Sequence, residues 1–207
     1  MVERGSGPRA QATTTQTIRD DDWDGRDLLR EEYERVAFVD VDMTEMRDDG
    51  SVFTDCVFRN VRFNASSHRD SAFVNCTFTA CGFFDCAFDR CKLLGSTFER
   101  CTFNLMKVNG GDWSFVALAR ADLRSASFID VRMREVDFTG AICEGATLRN
   151  LDLSGAWFHS ADLSRCDLRG SDLTSLDPLV TRVAGSIIDI DQAMTMAAAI
   201  GFDVRPS

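Results

Sequence analysis

Eight cysteines and two histidines are the side chains of this 207-residue chain best suited to metal, redox or nucleophilic chemistry. Cys76, Cys81, Cys86 and Cys91 follow one another at intervals of five; Cys56, Cys101 and Cys166 fall on the same series, and Cys143 falls off it. Four residues between thiols lies within the range used by zinc sites, so a metal or disulfide reading has to be met. His68 stands twenty residues after Asp48, which matters only if the chain returns to one place every twenty residues. What each group can do therefore depends on where a step of five or twenty residues carries the backbone.

Internal repetition answers that. Large apolar residues recur at every fifth position from Phe38 to Leu173, and 26 of these 28 positions are apolar. Phe73, Phe78, Phe83, Phe88, Phe98, Phe103, Leu123, Phe128, Phe138, Leu153 and Leu163 belong to the column, which holds 13 of the 16 phenylalanines. Trp23, Leu28 and Tyr33 continue it backwards. Two residues before each centre runs a column of small side chains, among them Cys76, Cys81, Ser96, Ala121 and Ala146. The remaining positions are mostly polar. A period of five fits neither the 3.6 of a helix nor the 2.0 of a strand. It fits a coil with one large and one small inward residue per side, then a corner, so that four sides close a square of twenty residues. The expected fold is an all-β solenoid. At about 4.8 Å per coil, nearly eight coils make a rod roughly 37 Å long.

On this geometry residues five apart lie on successive sides and residues twenty apart stack. All eight cysteines face inward, with Cys56 under Cys76 and Cys81 under Cys101 as vertical neighbours and not a tetrahedral cage. They read as small buried hydrophobes, with no metal and no cofactor; reduced thiols point to the cytoplasm. Asp48 and His68 are the two polar centres and would stack. The segment Ala65 to Asp70 reads as a bend or loosened coil, and no Ser or Cys nucleophile is expected to complete the pair, because nearby candidates fall in the inward small column. His159 falls on an outward position. Gly110-Gly111 reads as a backbone adjustment and not a phosphate cradle. No enzyme is expected.

The acids are the other candidate chemistry. The chain carries 33 acids and 23 bases, a net charge of −10, which opposes binding to nucleic acid or anionic membrane and favours a basic partner. Residues 1–60 hold fifteen acids against eight bases, residues 61–110 four against six, and residues 111–207 fourteen against nine. Asp is favoured just before a centre, where it can bond corner backbone. Asp112, Asp152 and Asp172 share one side, Asp122 and Asp162 another; these five are the candidate partner-binding stripe. Duplex DNA carries one charge per about 1.7 Å of axis, more than twice the average density of such a rod, so any likeness to DNA has to rest on rod diameter and local acidic stripes.

The repeats Ala121-Asp-Leu-Arg-Ser, Ala161-Asp-Leu-Ser-Arg and Ser171-Asp-Leu-Thr-Ser resemble the A(D/N)LXX motif of the pentapeptide-repeat family, and the resemblance covers roughly residues 22–176. It implies a right-handed quadrilateral β-helix. Beyond Leu176-Asp-Pro178 the repeat is expected to stop, since proline removes a ladder donor. An Ala/Met-rich helix should follow, capped by Asp189 or Asp191 and stopped by Gly201. That helix is apolar on more than one side, so it is expected to pair with a second copy as well as to cap the rod. Leu179, Val180, Ile190, Met194 and Ala197 are the dimer candidates.

Ser67-His-Arg-Asp-Ser-Ala-Phe73, Asn75-Cys-Thr-Phe78, Leu94-Gly-Ser96 and the terminal Asp189-Ile-Asp-Gln-Ala193 are similar to one branch of that family. These are the mycobacterial fluoroquinolone-resistance MfpA and Qnr-type proteins. That resemblance implies a homodimeric mimic of duplex DNA that binds DNA gyrase and protects it from quinolone-type inhibitors. The organisation expected is a disordered tail at 1–20, the β-helix at 21–177 and a helical capping and dimerisation segment at 178–207. Residues 1–19 have no apolar core of a signal peptide. The rival expectation is a non-enzymatic adaptor rod with another partner.

Overall fold

The computed structural model describes residues 13–205. Alternation of inward centres with polar corners winds them into a parallel β-solenoid. One side is a seven-stranded sheet built from Asp27–Leu29, Arg47–Asp49, Ser67–Arg69, Ala87–Asp89, Lys107–Asn109, Ser127–Ile129 and Thr147–Arg149. A second side carries five strands, Gln16–Arg19, Val36–Val39, Val57–Arg59, Thr77–Thr79 and Thr97–Glu99. A third begins with Glu32–Glu34, Val52–Thr54 and Ala72–Val74, and the fourth is a row of parallel bridges through Asp22, Asp42, Arg62, Gly82 and Thr102. Every pairing joins residues twenty apart, for example Phe38 with Phe58 and Phe58 with Phe78. The square of twenty residues is the fold.

Burial follows the two columns. Phe73, Phe78, Phe83, Phe88, Phe98, Phe103, Leu123, Phe128, Phe138, Leu153 and Leu163 are all buried. Rings stack along each side at the coil spacing: Phe58 lies 4.7 Å from Phe78 and Phe53 4.7 Å from Phe73, each pair nearly coplanar. Burying each such ring contributes about 1.5–3 kcal/mol before entropy. Seven of the cysteines are fully buried and Cys101 half so, all free.

Most corners turn at the residue two after the centre, which adopts left-handed φ across many residue types: Arg100 has φ +55°, Leu105 +60° and Phe115 +62°, with Ser125 and Ser175 as exceptions. L-residues resist this conformation by roughly 1–2 kcal/mol, and the stacked backbone bonds outweigh it. Gly111 is required for another reason. A Cβ there would lie 2.1 Å from the Cys91 carbonyl oxygen.

Both expected ends of the solenoid move outward. The tail expected at 1–20 is solenoid in its last residues, since Gln16–Arg19 pairs in parallel with Val36–Val39; Ile18 supplies the inward centre. Residues 1–12 lie outside the described part. Nor does the winding stop at 177. Pro178 takes one centre position, but the ladder resumes with Arg182 N–H donating to the Ala161 carbonyl at 3.0 Å and Ile187 N–H to Cys166 at 2.8 Å. A proline that cannot donate weakens one side of a four-sided coil without ending it. The helix Ile190–Ala199 then closes the rod, capped by Asp189 and followed by Gly201 at φ +96°. No helix among the described residues is long and apolar enough to cross a membrane.

Candidate partner-binding surface

Among the described residues the interior holds a buried Asp–His pair, and it is sealed. His68 Nδ1 lies 3.2 Å from Asp48 Oδ2, and its Nε2 lies 3.1 Å from Ser66 Oγ. Ser66 in turn donates to the Phe63 carbonyl at 2.8 Å and touches Cys86 Sγ at 3.3 Å. Burial works to raise the Asp48 pKa, but the hydrogen bond and charge of His68 outweigh it and hold the carboxyl below its usual range. Two expectations are corrected here. A serine does complete an Asp–His–Ser chain, because the inward small column places Ser66 beside the ring. The coil is not loosened either: Ser67–Arg69 is a regular strand, since a buried pair satisfies its polar atoms without unwinding backbone. Both acid and imidazole side chains are 0% exposed, so no substrate reaches them. The buried thiols are equally remote; desolvation pushes Cys86, Cys91 and Cys166 up to about 12. No group of three metal-ligating side chains converges among the described residues.

What remains is the outer surface. The five aspartates of the expected stripe share one local geometry, because each stands just before a centre. One carboxylate oxygen accepts from the backbone N–H two residues on. For Asp112 this is Ser114 at 3.1 Å, with the Ser114 hydroxyl at 2.6 Å; for Asp172 it is Thr174 at 2.9 Å, with its hydroxyl at 2.6 Å. The other oxygen of four of them faces an arginine: Arg132 for Asp112 at 3.3 Å, Arg124 for Asp122 at 2.6 Å, Arg134 for Asp152 at 2.6 Å and Arg182 for Asp162 at 2.6 Å. Asp172 takes the Ser154 hydroxyl instead. The bonds from Arg124 hold Asp122 below the usual carboxylate range, and those from Ser164 and Thr174 do the same for Asp162 and Asp172. Asp162 is itself buried. The stripe is therefore largely neutralised by its own rod. Sequence reading placed the acids on their sides but did not pair them, because pairing depends on side-chain direction: Arg132, Arg134 and Arg182 stand eighteen or twenty residues away on neighbouring coils, and Arg124 stands two residues on within the same coil.

Unpaired acid lies elsewhere. Asp20, Asp21, Asp22, Asp24, Glu31, Glu32 and Glu45 are exposed and make no ion pair among the described residues. They surround the first two coils, where the uneven charge count along the chain had already put the largest excess. Of the dimer candidates, Ile190 is 82% and Leu179 78% exposed, Val180 and Met194 are also exposed, and Ala197 is half-buried. Ile187, Ile200 and Phe202 add exposed apolar surface at the same end. Periodicity could not flag them, because they follow the last regular repeat.

Known proteins share this architecture. Residues 81–158 match the model of the pentapeptide repeat region, and residues 143–174 match that of pentapeptide repeats in eight copies. No curated protein matches the chain. Among solved structures, a trypsin-treated form of QnrB1, a plasmid-mediated fluoroquinolone resistance protein, is 18% identical, covers 91% of this chain and 97% of its own, and has a TM-score of 0.51. A second trypsin-treated form gives the same identity and TM-score over 92% and 98%. HetL, a pentapeptide repeat protein involved in heterocyst differentiation regulation from the cyanobacterium Nostoc sp. strain PCC 7120, is 14% identical over 86% of this chain and 85% of its own, with a TM-score of 0.47. The five-residue columns, the four-sided parallel winding and the two family matches agree: residues 81–174 carry pentapeptide repeats, and the rod has the pentapeptide-repeat β-helix fold.

Proposed function

We infer that this protein is a non-catalytic cytoplasmic rod that binds DNA gyrase and modulates its response to quinolone-type inhibitors. The observation that carries the reading is a sealed interior inside a parallel rod of net charge −10, which leaves only the outer surface to act. The resemblance of its Ser67–Phe73 and Asp189–Ala193 segments to MfpA and Qnr-type proteins supports gyrase as the partner, and the QnrB1 likeness supports the fold such a role uses. A cationic DNA-binding groove would be steered by the rod's charge. The arginine pairing of Asp112, Asp122, Asp152 and Asp162 favours contact through shape along the stripe and through open charge on the first coils. Exposed Leu179, Ile190, Met194 and Phe202 support a homodimer joined at the C-terminal end. The rival reading, an adaptor rod for another partner, predicts no effect on topoisomerases.

The test is a supercoiling assay with the host's gyrase, titrating the protein with and without a fluoroquinolone. Inhibition alone, or restored supercoiling in the presence of the drug, supports gyrase as the target. No effect in either arm sinks the gyrase reading and leaves the adaptor.

A further inference from the structure

A solenoid of near-identical coils has a natural competitor: itself, out of register. On three sides a displacement by one coil exchanges like for like, Phe38 for Phe58 and Phe78, or Phe53 for Phe73. The fourth side differs. Its centres run Leu28, Asp48, His68, Phe88, so the polar pair meets at one place only.

We propose that the buried Asp48–His68 pair, with Ser66, is a register key that dictates which coil stacks on which as the rod forms. Asp48 finds His68 Nδ1 at 3.2 Å only when the coil carrying residue 48 lies directly beside the coil carrying residue 68, whereas its bond from the Ser51 N–H at 3.3 Å lies within its own coil and is kept in any register. A slip of one coil sets the carboxylate against the Phe88 ring, and a slip of one side sets it against Phe63 or Phe73. Each alternative buries a carboxylate against an aromatic ring with no cross-coil partner and only the local Ser51 N–H, which is far costlier than any exchange among apolar centres. The His68 ring meanwhile stacks on Phe88 at 4.9 Å and meets Phe63 and Phe73 edge-on, so it also fills an aromatic place in the core. A buried polar group fixing register at the expense of stability is the best-attested use of such pairs. This inference is independent of what the rod binds.

The test uses the full chain, isotopically labelled and refolded from denaturant, read by amide resonances and hydrogen exchange. Asp48→Leu/His68→Phe rebuilds an apolar ladder and should fold, but into more than one register, with a second set of resonances from the coils around residues 28–88. The exchanged pair Asp48→His/His68→Asp should fold with one set. Phe53→Leu/Phe73→Leu, an apolar change on the next side, should also keep one set. A single set with the wild-type protection pattern in Asp48→Leu/His68→Phe overturns the proposal. So does failure of that variant to fold, which would make the pair a stability element and not a key, and so does a mixture in the exchanged pair.

Discussion

Asp189 and Gln192 hold each other across the first turn of the terminal helix. Asp189 Oδ1 accepts from the Gln192 backbone N–H at 2.9 Å, and the Gln192 side-chain oxygen accepts from the Asp189 N–H at 2.8 Å. The same two side chains also close the last coil. Gln192 Nε2 donates to the carbonyls of Leu168 and Ser171, both at 2.7 Å, and Asp189 Oδ2 accepts from Gly170 N–H at 3.0 Å. A capping box normally serves its own helix; here it also satisfies backbone groups that an open rod end would leave unpaired.

Gln192→Ala should therefore cost more than a helix cap alone. It removes both bonds to the coil and leaves two buried carbonyls without their donor, a loss of about 1–3 kcal/mol. Thermal unfolding gives the magnitude, and hydrogen exchange should show the loss concentrated in residues 160–190. An unchanged melting temperature would mean that the helix does not seal the rod.

Phe58→Ala removes a ring stacked 4.9 Å from Phe38 and 4.7 Å from Phe78. The expected cost is about 3–5 kcal/mol. Because each coil touches only its neighbours, the opening seen by hydrogen exchange should centre on residues 38–78 and leave the C-terminal coils protected. Uniform loss of protection would contradict nearest-neighbour stability.

At the corners, Phe115 sits at φ +62° and the residue is 46% exposed. Phe115→Asn puts a residue tolerant of left-handed backbone in its place and should stabilise the chain by about 0.5–1 kcal/mol, less whatever the ring contributes by partial burial. Leu105→Asn, at φ +60°, should act alike. Denaturant midpoints measure both; a fall in both would show that those side chains contribute packing that outweighs the strain.

Asp42 is held down to about 2 from its ordinary 3.8, chiefly by the hydrogen bond from Arg62 and also by Thr44. A carboxyl whose folded pKa is depressed adds stability that is complete above pH 3.8 and is lost as the pH falls towards 2. Arg62→Ala should flatten the pH dependence in that window and cost no more than about 1 kcal/mol at neutral pH, as the arginine is exposed. Melting temperatures of both proteins between pH 2 and pH 5 decide it; parallel curves would rule the pair out as an acid-sensitive element.

Charge reversal should separate the two acidic regions. Replacing Asp21, Asp22 and Asp24 by Lys should weaken gyrase modulation several-fold and reduce its salt dependence. Asp112→Lys with Asp152→Lys should act mainly on stability, since each substitution leaves Arg132 or Arg134 facing a like charge. Supercoiling titrations and melting curves on the same variants give both readings. Equal loss of activity from the two sets at unchanged stability would return the stripe to the binding role first expected of it.

Much of this was legible from residue order. The centres and small columns named the core residue by residue, because a five-residue period on a four-sided coil gives each position one direction. The stacking of Asp48 on His68 followed from a twenty-residue separation alone. Local chemistry was legible too, since caps and stops depend on residues within one turn: the Gly201 stop was read directly and the cap was narrowed to Asp189 or Asp191, of which the structure uses Asp189.

The periodicity by itself determined the solenoid and the inward cysteines, since these depend on position within a repeat, and residue order along the chain determined the uneven distribution of acid. Only the tertiary structure decided the rest. It brought Ser66 to the His68 ring and set arginines from neighbouring positions against Asp112, Asp122, Asp152 and Asp162. It also carried the winding through Gln16–Arg19 and past Pro178, and turned Gln192 into the plug of the last coil. The physical reason is common to all of them. Which side chain meets which across a coil spacing depends on rotamers and on backbone groups supplied by the next coil, and a residue type at a given position in the repeat does not carry that information.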